Sequence, residues 1–191
     1  MKFLKMFLAT LLLSFGMAAG ADDAPPDPPK EDTFTQDEVL VAANSFFGSV
    51  TEGLAKAIER VLADLGRPNA YIAGEEAGGA FTVGLRYGKG QMKLKNGYVQ
   101  KIYWQAPSIG FDVGGNASKV FTLVYNLRRT EDLFQRFPNV DGSAYFIAGL
   151  GVNYQRTDDI TLAPIRTGVG FRLGASIGYV HYTPKSTWLP F

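Results

Sequence analysis

Two periodicities divide the chain. From Thr35 to Leu65 the apolar residues Val39, Ala43, Phe46, Phe47, Val50, Leu54, Ile58, Val61, Leu62 and Leu65 recur three or four apart, the spacing that lines one face of a helix. Thr35 and Glu38 form a T-x-x-E capping box at its start, and Gly66 followed by Pro68 stops it. Gly48-Ser49 interrupts the stripe, and Ser49 with Glu52 repeats the box. Residues 34–66 are therefore expected as one kinked amphipathic helix or two abutting ones. The polar face mixes Glu52, Glu59 and Asp64 with Lys56 and Arg60. It lacks the basic excess of a membrane-surface helix, so the apolar face should cover the protein's own core.

From Tyr71 onward the period is two. In Phe81–Gly88 and again in Val169–Tyr179, large apolar residues alternate with glycine, arginine and small polar residues. The second run contains G-x-G-x-x-x-G, close to a dinucleotide-binding loop, but such a loop must follow a strand and open a helix. Here the glycines fall on every second residue of a strand, and no cofactor site is expected. Glycine inside a strand marks strong bending or close backbone approach, as at the corner of a small closed sheet. Further strands are expected at residues 98–105, 108–113, 119–125, 143–154 and 160–165. Asn96-Gly97, Gly114-Gly115-Asn116 and Thr157-Asp158-Asp159 supply turns between them. Residues 130–137 read as a short helical interruption ended by Pro138. The predicted fold is mainly β: a small antiparallel barrel of seven to eight strands at residues 67–191, covered or flanked by the N-terminal helical segment.

The first residues change the compartment. Lys2 and Lys5, an apolar run from Met6 to Phe15 and the small residues Ala19-Gly20-Ala21 have the form of a cleaved signal peptide, residues 1–21. That run is too short to span a bilayer, so no transmembrane segment is expected after cleavage. The Pro-rich stretch 22–33 reads as an extended spacer. With no cysteine in the chain, lipoprotein acylation and disulfides are both excluded, and export to a bacterial periplasm is the expected destination. A net charge of +1 with no basic run argues against nucleic acid as a partner.

Candidate chemistry is sparse. His181 is the sole histidine, which excludes a His/Cys metal site and leaves it as the one possible base of a hydrolase. The adjacent carboxylates Glu75-Glu76 and Asp158-Asp159 are read as turn residues without convergent acid–base geometry. Arg86, Arg172 and Asp112 stand within apolar strands and are expected to form a structural ion pair. Tyr103, Trp104, Phe111 and Phe146 are the candidate lining of a pocket for one lipid or other apolar ligand. An integral outer-membrane barrel is the alternative, opposed by Pro184 and Pro190 in the final stretch.

The runs GLRYGKG (84–90), YWQAPSIGFDVGGNASKVFTLVYNL (103–127), FPNVDGSAYFIAGLGV (137–152) and PIRTGVGFRLGASIGY (164–179) resemble the EipA-like envelope integrity family. The similarity covers about Phe34 to Tyr182, with a weaker similarity to the lipid-binding SYLF domain. The resemblance implies a periplasmic, non-catalytic small β-barrel of alphaproteobacteria that supports cell-envelope integrity, with a hydrophobic pocket of unknown occupant; a lipid, envelope polymer or protein is the partner expected for such a barrel. It brings no catalytic residues. Trp104, Pro107, Phe111, Asp112, Asp141, Gly142 and Arg166 match its motif positions.

Overall fold

The computed structural model describes residues 32–112, 117–167 and 178–187, and their side chains except those of 79–84 and 108–112. The signal-like and Pro-rich segments, the turn at 114–116 and most of the strand read at 169–179 lie outside these residues.

The helical segment is two helices. Helix α1 (Gln36–Phe47) starts at Thr35, whose hydroxyl accepts from the Glu38 N–H while the Glu38 carboxylate accepts from the Thr35 N–H, the expected capping box. Gly48 ends it in the left-handed conformation at φ 87°. Helix α2 (Glu52–Leu65) is capped by Thr51, which accepts from the Leu54 N–H; the cap expected at Ser49 is displaced by two residues. Thr51 wins because its extended backbone puts the hydroxyl over the third helical N–H.

Among the described residues nine antiparallel strands follow: β1 (Ala70–Leu94), β2 (Val99–Asp112), β3 (Ser118–Tyr125), β4 (Arg136–Pro138), β5 (Tyr145–Ile147), β6 (Leu150–Val152), β7 (Gln155–Thr157), β8 (Ile160–Arg166) and β9 (Tyr179–Thr183). Their order is β4-β9-β2-β1-β3-β8-β6-β5, with β7 also on β8. The sheet curls until β4 meets β7 through an Asn139–Gln155 bridge, which makes it barrel-like. Residues 130–137 hold only a 3-10 turn at Thr130–Leu133 before β4 begins.

Strand β1 shapes the curl. Its first part pairs with β3 and its second with β2 over 14 residue pairs. Between them the strand bends so far that its two parts touch. A Cβ on Gly74 would meet the Gly90 Cα at 2.7 Å, and one on Gly88 would fall inside the Trp104 indole. The close approach expected of strand glycines is therefore present at Gly88, and Gly74 and Gly90 share it.

The predicted strand over 143–154 breaks into β5 and β6 at Ala148-Gly149, whose φ of 47° and 84° turn the chain back as a hairpin, and a second gap separates β6 from β7. On one edge of β8, β6 pairs with Ile165 and Arg166 while β7 pairs with Ile160 to Leu162. Pro164, with no N–H to give a ladder, falls in the gap. Asn153 and Tyr154, opposite that gap, are not committed to β8 and turn elsewhere.

Both faces of β3 and β8 are buried. Ala70, Ile72, Val124, Leu162, Trp104 and Tyr182 belong to the barrel interior. On the outer face, Phe121, Leu123 and Ile165 pack under Val39, Ala43, Leu54, Ile58 and Val61 of the helices. This matches the expectation that the helical stripe covers the protein's own core.

Candidate functional site

Period two along β1 puts Ala70, Ile72, Gly74 and Glu76 on the interior side. Glu76 is 5% exposed, while Glu75, one residue earlier, points to solvent. Reading the pair as a turn was wrong: both lie inside β1, on opposite faces. Arg86, from the other part of β1, is 8% exposed, as is Arg166 at the end of β8. Arg86 donates Nη1–H to Glu76 Oε1 at 3.3 Å, and Arg166 donates Nε–H to the same oxygen at 2.8 Å. Trp104 of β2 donates its indole N–H to Oε2 at 3.2 Å. One carboxylate thus ties β1, β2 and β8 together inside the barrel.

Burial alone would raise the pKa of Glu76. The charges of Arg166 and Arg86, with the hydrogen bonds from Trp104 and Arg166, overcome it and hold the carboxylate below its ordinary range. A carboxylate so stabilised is a weak proton acceptor, which fits a brace better than a general base. The brace extends outward through Arg166 Nη1–H to Asn153 Oδ1 at 2.6 Å, and Asn153 Nδ2–H to Asn139 Oδ1 at 3.1 Å. Asn153 is free to reach inward because of the gap at Pro164. Its neighbour Tyr154 donates its hydroxyl hydrogen to Asp64 of α2 at 2.7 Å, pinning helix to barrel.

Trp104 lies over Gly88, its register partner, and against Tyr182 at 6.0 Å between ring centroids. Tyr182 in turn meets Phe137 edge-on at 5.8 Å. Burial pushes the Tyr182 hydroxyl up to about 12.

The structure separates the other candidate residues. Tyr103 follows the opposite face of β2, with Lys101 Nζ 5.5 Å from its ring centroid. Phe146 on β5 is 53% exposed. The side chains of Phe111 and Asp112, and the whole of Arg172, lie outside the described residues. Of the expected pocket set, Trp104 alone is described in the interior. Of the expected ion pair, Arg86 is present, and the carboxylate described beside it is Glu76. Arg166, noted in the sequence only as a motif match, completes the cluster. Carrying the alternation of Phe81–Gly88 back along β1 puts Glu76 on the same face as Arg86, the signal that could have paired them.

His181 pairs in register with Gln105 and Arg136. Its pKa is lowered by burial and then by the positive charge of Arg136, and among the described residues nothing hydrogen-bonds its buried Nδ1. That leaves it without the carboxylate that would orient a catalytic base. No group of metal-ligating side chains forms among the described residues.

Residues 32–191 match the family described as Envelope integrity protein A. A crystal structure of a beta-barrel-like, uncharacterized protein from Brucella abortus is similar, with 48% sequence identity and a TM-score of 0.76, covering 84% of this chain and 99% of that one. No curated protein matches.

Proposed function

This chain belongs to the Envelope integrity protein A family, and from that premise we propose that it is a water-soluble, non-catalytic protein of the periplasm. In this reading it supports the cell envelope by binding a lipid or other apolar envelope molecule through its barrel. The observation that carries the reading is which way the barrel faces. Ile72, Met92, Ile102 and Leu162 fill the inside, whereas Lys89, Gln91, Lys93 and Lys101 alternate on the exposed outside of β1 and β2. An outer-membrane barrel needs the reverse, an apolar outer band around a polar lumen, and lysine facing lipid near the midplane costs about 2–4 kcal/mol. The covering helices occupy another part of the outer wall. No helix among the described residues is long and apolar enough to cross a membrane. The signal-like first 21 residues support export.

Native mass spectrometry on protein recovered from a periplasmic extract without detergent tests both parts. The reading expects a processed chain carrying an added lipid-sized mass. Recovery only from membranes by detergent would overturn solubility, and a bare mass would overturn the ligand.

A further inference from the structure

The structure assigns a further group to the barrel interior. We propose that Gln155 is the polar contact for the headgroup of a neutral amphiphile that presents both a hydrogen-bond donor and an acceptor, such as a hydroxyl or an amide. This rests on the reading that the barrel takes an apolar ligand, and adds what the headgroup must be and which side chain meets it.

Gln155 is fully buried, and its register partner Leu162 places it on the interior side of β7. Neither Oε1 nor Nε2 has a hydrogen-bond partner among the described residues. An interior amide left so costs about 1–3 kcal/mol per unmet group, which is why native proteins almost always satisfy such groups with protein, water or a bound molecule. Beside it in the interior, both Glu76 oxygens accept hydrogen bonds, and Asn153 both donates and accepts. Gln155 differs by keeping one donor group and one acceptor uncommitted. A carboxylate or phosphate could use only the donor. A hydroxyl or an amide answers both, hence a neutral headgroup.

Position adds the second support. Gln155 lies at the seam where β4 returns to β7, and among the described residues that seam has the sparsest strand pairing. Strand β4 has three residues and so does β7, and they are joined by the Asn139–Gln155 bridge. Other ties there include Val140 N–H to Tyr154 O at 2.9 Å, Tyr154 N–H to Ser143 Oγ at 2.9 Å, Thr157 Oγ1–H to Arg136 O at 2.7 Å and the Asn153–Asn139 contact. By contrast β1 and β2 share 14 pairs. In this proposal, parting the seam would uncover Gln155, and an acyl chain would have to displace packing around its register partner Leu162 in the interior core.

The test uses the mature chain and two probes with the same acyl chain: lauroyl glycerol, which carries two hydroxyls, and methyl laurate, which has an acceptor but no donor. Wild-type protein is expected to bind lauroyl glycerol about 10-fold more tightly than methyl laurate, the scale of one neutral hydrogen bond. Gln155→Met, which keeps the length of the side chain, should remove that preference by weakening lauroyl glycerol, which uses both donor and acceptor, more than methyl laurate, which can use only the donor. Gln155→Leu provides a second variant should the first not fold. Equal binding of the two probes to wild type, or a preference that survives both variants, would overturn the assignment of Gln155 while leaving the apolar-ligand reading intact. Failure of wild type to bind either probe would instead overturn that reading, and this inference with it.

Discussion

The sheet formed by β3, β8 and the start of β1 is covered on both sides, and the two sides are built differently. Under the helices, Phe121 packs between Tyr71, Phe46 and Phe47 at 5.2 to 6.3 Å, and the layer is held by fit of apolar shapes. On the barrel side, the same strands carry Glu76 and Arg166, and position is fixed by charge and hydrogen-bond direction. Apolar contacts are non-directional, so the helix layer tolerates change that keeps volume. A buried carboxylate between two guanidiniums tolerates almost none, because removing it strands the cations.

The strongest way to break the comparison is Glu76→Gln. Shape is kept and only the charge goes, yet about 3–5 kcal/mol of stability should be lost, measured by urea denaturation. A loss below 1 kcal/mol would mean the interior is no more directional than the helix layer. Acid should act on the same group. The pKa of folded Glu76 is lowered, so its contribution is complete above the unfolded value near 4.5 and falls away as pH drops below it. The melting temperature of wild type should therefore decline more steeply below pH 4.5 than that of Glu76→Gln.

Gly88→Ala is next. An added methyl must displace the Trp104 ring, so about 1–3 kcal/mol of overpacking is expected, with a red shift in tryptophan emission as the indole leaves its site. Unchanged emission would show that β1 can spread without disturbing the brace.

Phe121→Leu sharpens the other side. Although Phe121 is fully buried, repacking among the helices should limit the cost to less than about 1.5 kcal/mol in the same urea experiment. A cost equal to that of Glu76→Gln would erase the contrast.

Smallest is the solvent-facing tie between Glu38 and Lys95, 2.5 Å apart. The hydrogen bonds from Lys95 and the Thr35 backbone N–H lower the Glu38 pKa to about 2. Its effect is present above pH 4.5 and fades toward pH 2, and added salt should weaken it. Glu38→Gln should thus flatten the acid limb slightly at low salt and not at high salt.

Much of this architecture is legible in the sequence because period and punctuation are local. The helical stripe, its Thr35 cap and the stop at Gly66 follow from residues within a few positions of each other, and all are present. The Asn96-Gly97 turn is equally local, with Gly97 at φ 90°. The interior brace is not local: Glu76 and Arg166 are 90 residues apart, and adjacency to Glu75 disguised Glu76 as part of a turn. Pro164 likewise reads as an ordinary strand residue until β6 and β7 are placed on either side of it. Aromatic content marks a core but not its direction, which is why Tyr103 and Trp104, neighbours in β2, end on opposite faces.

The placement of β9 sets an order of events. The β1–β2 hairpin closes around a turn of a few residues, whereas β9 slots between β2 and β4 and joins Tyr103 to Thr183 across the length of the domain. Until residues 179–183 emerge, β2 presents an open edge along the segment that β9 will cover, and so does β4. Loop-closure entropy makes that final insertion the slow step. A chain whose β9 has not yet docked leaves these strand edges unsatisfied, the kind of exposure that favours aggregation.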